Sequence, residues 1–171
     1  MEVLMLDAAQ LMGYRDELNQ HLQLAFNSKI EVDINEELLC GVLATVEGLI
    51  VACGFAYHRQ MSQGCRLFKA GIVGGIAVHP NYRKQGLCKE ILLNIDQAIE
   101  QADVEQSFLF AYEPKVYGGS GYTILDTPIH YFDPIQAQWN TYVYRGGMVK
   151  SHNQATVLSS SGVIEFKGPI Y

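Results

Sequence analysis

The chain has no Cys-x-x-Cys pair. Cys40, Cys53, Cys65 and Cys88 stand far apart, and its histidines are scattered at 21, 58, 79, 130 and 152. That spacing fits neither a zinc site nor a dithiol redox motif, so free thiols and no metal are expected, with cysteine serving as a small hydrophobe. No stretch reaches the roughly 18 consecutive apolar residues of a membrane-spanning helix. Met1-Glu2-Val3 lacks the basic start of a secretory leader, so a cytoplasmic protein that does not contact membrane is expected. Basic residues are in the minority: 12 Lys and Arg face 18 Asp and Glu, a formal net charge of −6. Such a balance argues against nucleic acid, which needs a basic footprint, and suits a cationic ligand such as a small amine or polyamine. G-x-x-x-x-G-K-[ST] is absent, which excludes a P-loop nucleotidase. Gly71-Ile72-Val73-Gly74-Gly75 sits inside an apolar strand and opens no helix, which excludes a dinucleotide fingerprint. There is no internal repeat and no long linker. At 171 residues, 49% hydrophobic and 18% charged, the chain is expected to form one domain over 1–171.

What is present is a strand, a turn and a basic helix start. Ile76-Ala77-Val78 closes an apolar strand, Pro80 turns the chain, and Arg83-Lys84-Gln85-Gly86-Leu87-Cys88 opens a helix. The first turn of a helix leaves backbone N–H groups unpaired at the positive end of the macrodipole, a ready anion site. Gly86 lets a phosphate approach the backbone, and Arg83 and Lys84 add charge, so the stretch reads as a pyrophosphate cradle. Leu87, Ile91, Leu92, Ile95, Ile99 and Ala102 then recur at helical spacing, opposite Lys89, Glu90, Asn94, Asp96 and Glu100. Ser107 to Ala111 is a short buried-strand pattern. Upstream, Val3 to Leu6 reads as a strand, and Asp7 with Gln10 as a capping box for a helix that carries Leu11, Leu18 and Leu22 on one face and runs or breaks toward Phe26. Leu38 to Val46 and Leu49 to Arg59 read as a hairpin about Glu47-Gly48, followed by a loop near Gln63-Gly64 and a strand from Phe68 to Val78.

After the Ser107 strand stands Tyr117-Gly118-Gly119-Ser120-Gly121-Tyr122. The ordered set resembles the GNAT superfamily of acyl-CoA-dependent N-acetyltransferases. Members carry a [Q/R]-x-x-G-x-[G/A] loop after a strand and a Tyr-x-x-x-Gly-Phe element about thirty residues later. Arg83 to Cys88 matches the loop except that Cys88 replaces the last small residue. Tyr117 to Tyr122 matches the second element, with Tyr122 in place of Phe. The resemblance extends from about Leu38 to Tyr122 and more loosely to Val149. It implies an α/β (α+β) fold, a mixed and mainly antiparallel sheet flanked by helices on both faces, with Thr141 to Val149 as the last core strand. It also implies an acetyltransferase moving the acetyl group of acetyl-CoA to a primary amine, on a small molecule or a peptide, by direct attack. The family's fourth strand splays from the fifth, so the backbone of Ile76, Ala77 and Val78 is expected to hold the pantetheine arm and polarise the thioester. Lys84, Gln85, Gly86, Leu87 and Cys88 are expected to bind the pyrophosphate through backbone N–H groups, with Arg83 as a charged neighbour.

Acyl transfer needs a held thioester, a neutral amine, stabilisation of the developing oxyanion and a proton for the departing thiolate. A phenol with a reference pKa near 10 stays protonated at neutral pH and can protonate that thiolate. The motif match gives this role to Tyr117. Several members place a Glu on the fourth strand where this chain has Ile72, so the general base stays open between Glu113, His79, a water-mediated route and an acceptor that arrives unprotonated. Glu31, Asp33, Glu36 and Glu37 are either an ammonium-binding run or a solvated face. Cys88 at a helix start is either a reactive thiol, if exposed, or merely a residue small enough to sit beside phosphate. Gly74 and Gly75 would leave room for a longer acyl chain. Residues 151–171 are an extension outside the family pattern. Ala155 to Leu158 and Val163 to Phe166 suggest a small hairpin that is peripheral, covers a sheet edge or serves a homodimer contact. The missing strand carboxylate and this tail also suit a second function, an acyl-CoA sensor without turnover.

Overall fold

In a computed structural model, residues 1–133, 136–142, 147–152, 158–159, 162–168 and 171 are described. They fall into two compact units, 1–57 with 73–99 and 58–72 with 100–171.

In the first unit, β1 (Glu2–Leu6) leads into the expected capping box: Gln10 N donates to Asp7 Oδ1 at 2.8 Å and Asp7 N to Gln10 Oε1 at 3.0 Å. The helix it starts is broken. α1 (Ala8–Leu11) gives way to a 3-10 turn at Met12–Tyr14, around Gly13, before α2 (Arg15–Phe26) ends at Asn27, left-handed at φ 50°. Leu11, Leu18 and Leu22 are nonetheless all buried, because the short turn keeps both helices facing the sheet. β2 (Leu38–Val46) pairs antiparallel with β1 and with β3 (Leu49–Gln63), which is four residues longer than the sequence pattern suggests. Glu47 and Gly48, at φ 51° and 81°, form the tight turn between them. The 73–78 part of β4 (Arg66–Val78) and α3 (Leu87–Gln101) as far as Ile99 complete the unit.

Helices cover both faces of this sheet. Adjacent strand residues point to opposite sides. On one side of β3, a Cβ at Gly54 would sit 2.6 Å from Ile91 Cγ2, so α3 packs directly on the strand. On the other side, Phe55 lies close to Gly41, which also meets Leu11. Asp96 departs from the expected polar face of α3 and is 7% exposed, since it shares the stripe of Leu92, Ile95 and Ile99 at helical spacing.

The second unit takes the 58–63 and 66–72 segments of β3 and β4 together with β5 (Gln106–Phe110), β6 (Thr123–Ile124), β7 (Ile129–Asp133), β8 (Gln138–Tyr142), β9 (Gly147–Ser151) and β10 (Ile164–Lys167). Its strand order is β6-β9-β5-β4-β3-β10-β7-β8. The pairs β5–β9, β6–β9, β7–β8 and β10–β3 are antiparallel and β10–β7 is parallel. The architecture is thus α+β with a mixed, mainly antiparallel sheet. Two expectations need correction. The stretch 141–149 is not one strand: β8 pairs with β7, whereas β9 pairs with β5, with 143–146 outside the described residues. In the tail, Ile164–Lys167 lies between β3 and β7 rather than standing apart as half of a hairpin. Ile164 and Phe166 are buried while Glu165 and Lys167 are exposed, the alternation of a strand with one covered face. Residues 155–157, the other expected half, lie outside the described set. Arg59 lies 5.2 Å from the Phe166 ring centroid and 5.3 Å from that of Tyr171, its guanidinium donating to Lys167 O at 3.4 Å.

Candidate active site

β4 delivers the cradle. Gly75 is left-handed at φ 60°, a conformation glycine adopts without a Cβ penalty, and a Cβ there would lie 2.6 Å from Phe55 Cδ2. Phe55 therefore fills the space beside Gly75. Past Gly75, Ala77 O meets Nε2 of the buried His21 at 3.4 Å, and Val78 O accepts from Arg83 Nε at 3.3 Å. Arg83 Nη2 also donates to Ala25 O at 3.3 Å, so its charge serves the last turn of α2, where a cation is favoured. His79 N donates to Val51 O at 2.8 Å and fixes the end of the strand. Burial pushes the His21 imidazole below its ordinary pKa, and nearby His79 acts in the same direction.

Lys84 and Gly86 are both left-handed, at φ 63° and 84°, and Lys84, Gln85 and Gly86 are exposed. A Cβ at Gly86 would meet nothing within 4 Å, so the glycine answers a conformational need and leaves its backbone open to solvent. Glu90 N donates to Gly86 O at 3.1 Å, which makes Gly86 the residue before the first turn of α3. Among the described residues no side chain caps the amides of Leu87, Cys88 and Lys89. A 15-residue helix with an open, uncapped start and an unobstructed glycine fits a pyrophosphate.

In the second unit, two 3-10 turns, Pro114–Val116 and Gly118–Ser120, flank Tyr117. Tyr117 N donates to Pro114 O at 3.0 Å, and Tyr117 O accepts from Ser120 N at 2.9 Å. Tyr117 is half-buried, Glu113 is exposed, and Tyr122 is 2% exposed.

Residues 13–125 match the family model described as an acetyltransferase (GNAT) domain. The chain belongs to the GNAT acetyltransferases. Among solved structures, the GNAT-family N-acetyltransferase YhbS of Escherichia coli, in complex with CoA, is 15% identical with a TM-score of 0.63, over 97% of this chain and 90% of that one. A GNAT acetyltransferase of Staphylococcus aureus Mu50 is 13% identical with a TM-score of 0.59, over 88% of this chain and 99% of that one. Eis1 of Mycobacterium abscessus is 15% identical with a TM-score of 0.63 over 75% of this chain, which spans only 33% of Eis1's length. At these identities the likeness shows a shared fold. No curated protein matches the chain.

Within this GNAT chain the expected residues separate by unit. Ile76, Ala77, Val78, Arg83, Lys84, Gln85, Gly86, Leu87 and Cys88 lie in the first, and Tyr117 in the second. His79 caps the turn after β4, its Nδ1 accepting from Asn81 N at 3.2 Å, a structural task. The reactive reading of Cys88 fails: the residue is half-buried, and burial raises its thiol pKa instead of the helix start lowering it. In the acidic run, the Asp33 backbone carbonyl accepts from Tyr57 Oη of β3 at 2.8 Å, and Glu37 N donates to Asn35 Oδ1 at 2.9 Å, a local turn bond. No three His, Cys, Asp or Glu residues gather to hold a metal among the described residues, and no helix among them is long and apolar enough to cross a membrane. Sequence reasoning missed His21 and the pair Ser107 and His152. An isolated His or Ser inside an apolar pattern carries no spacing that marks it.

Proposed function

We propose that this protein transfers the acetyl group of acetyl-CoA to a primary amine by direct attack. The observation that carries this is the open Gly86 backbone at the uncapped start of α3, directly after β4. Backbone amides from Lys84 to Cys88 bind the pyrophosphate there, aided by the helix dipole. The carbonyls of Ala77 and Val78 already accept from His21 and Arg83, so the main strand contact to the pantetheine arm is assigned to Ile76. Arg83 supports the loop rather than the phosphate. Tyr117 donates the proton that the thiolate needs, an assignment supported by the motif match and by the turn that presents it half-buried. The acceptor is a cationic amine, favoured by the formal net charge of −6.

The sensor reading has one observation in its favour. Ile72, where several members carry a strand carboxylate, is fully buried and apolar. Titration calorimetry with acetyl-CoA, followed by free-thiol release over a panel of polyamines, amino sugars, peptide N-termini and neutral amines, decides between the two. Binding with amine-dependent release supports the enzyme. Binding without release on every amine favours the sensor, and absence of binding overturns the cradle.

A further inference from the structure

Behind Tyr122 lies a buried polar chain that neither phosphate binding nor proton donation uses. Ser107 on β5 has no exposed surface; its Oγ is 2.8 Å from Tyr122 Oη and 2.7 Å from His152 Nε2. Tyr122 and His152 are each 2% exposed, and the second imidazole nitrogen, Nδ1, is buried without a hydrogen-bond partner among the described residues. A serine hydroxyl at that distance from an imidazole has the geometry of an activated nucleophile. No substrate reaches a side chain with no exposed surface, so nucleophilic chemistry is set aside. What remains is a polar chain that costs stability wherever it is incompletely paired. A phenylalanine at 122, the residue of the family pattern, would require none of it.

The chain sits where it can restrain the turn. Ser107 lies opposite Lys150 in the β5–β9 register, and His152 follows two residues along on the same face. Lys150 Nζ donates to Ser120 O at 3.0 Å, and Leu125 N donates to Gly147 O at 2.8 Å. The Ser107–Tyr122 bond thus lies between the Lys150–Ser120 bond and the β6–β9 pairing of Thr123 and Ile124, which together fasten the end of the turn to β5 and β9. Ser120 N to Tyr117 O, at 2.9 Å, passes that restraint back to Tyr117. A hydrophobic ring at 122 would fill the same space, whereas the hydroxyl also fixes its direction.

We propose that Ser107 and His152 are positioning residues that, acting through the Tyr122 hydroxyl, hold the 117–121 turn in the orientation from which Tyr117 donates its proton. The inference rests on the reading of Tyr117 as donor. Two measurements are made on the full chain with Ser107→Ala, Tyr122→Phe and Ser107→Thr. The first is hydrogen exchange of peptides covering 112–121; the second is steady-state turnover beside acetyl-CoA binding. Exchange in that segment rises several-fold in Ser107→Ala and Tyr122→Phe. In both, kcat falls about 10- to 100-fold, as misplacement of a reacting group does, while acetyl-CoA affinity holds. The double variant loses no more than the worse single one, because both break one chain. Ser107→Thr, which keeps a hydroxyl, restores kcat. Unchanged exchange in both variants overturns the proposal whatever the activity. Raised exchange with undiminished kcat also overturns it, provided that Tyr117→Phe is impaired. If Tyr117→Phe itself turns over normally while exchange rises, the tether stands and the donor reading falls.

Discussion

His152 makes stability depend on pH in a direction that can be worked out. Burial holds its imidazole down to about 4, against an ordinary value of 6.5, with Lys150 acting in the same sense. The unfolded chain therefore binds a proton that the folded chain refuses throughout the window between those values. Stability from this group is fully present above pH 6.5 and is lost as pH falls toward 4. At pH 5 the unfolded imidazole is almost wholly protonated and the folded one almost wholly neutral, so the loss between pH 7 and pH 5 is about 2 kcal/mol, rising to about 3 at pH 4. The assay is urea unfolding of wild type and His152→Gln at several pH values. His21, also lowered by burial, contributes its own acid-side loss to both proteins and cancels in the comparison. The variant starts less stable, by about 1 kcal/mol for the lost bond to Ser107, but falls less steeply toward pH 5. Parallel curves for the two proteins would refute the reasoning, because they would mean that the imidazole titrates alike folded and unfolded.

Other outcomes follow from the same geometry. Gly86→Ala forces an L residue to φ 84° with no protein atom within 4 Å of the new Cβ. Thermal unfolding should show a loss of about 1–2 kcal/mol from backbone strain, and calorimetry a weaker grip on acetyl-CoA. Gly54→Ala drives a methyl to 2.6 Å from Ile91 Cγ2, so denaturant unfolding should register about 1–3 kcal/mol of overpacking. A thiol reagent followed by peptide mapping should label exposed Cys65 first and leave Cys53 and Cys40 unmodified in the folded protein, since burial pushes their thiols up to about 12 and about 11.

The parts legible in the sequence were those with a period or a punctuation mark. The capping box at Asp7 and Gln10, the turn at Glu47-Gly48 and the amphipathic stripe of α3 each leave a local trace that tertiary packing did not override. Gly86 was legible for the same reason: a glycine between a strand and a helix has few other uses. Less legible were features set by distant neighbours. The break at Met12–Tyr14 lies inside an otherwise helical pattern. The tail strand Ile164–Lys167 takes its place from pairing with β3 and β7, about 100 and 35 residues upstream, which no local signal encodes. Arg83 was legible as a charged neighbour of the loop, but not its bonds to carbonyls of β4 and α2, which depend on where α2 ends. Ser107, Tyr122 and His152 meet across 45 residues of chain. Only the tyrosine at 122, where the family pattern has phenylalanine, hinted at a polar partner.

The most direct test of the central claim is acetyl-CoA turnover by Tyr117→Phe beside wild type, with acetyl-CoA binding measured on both. The variant should bind acetyl-CoA as wild type does while kcat drops about 10²- to 10⁴-fold, the loss of a proton donor to the thiolate. Undiminished turnover in a variant that still binds acetyl-CoA would contradict the account.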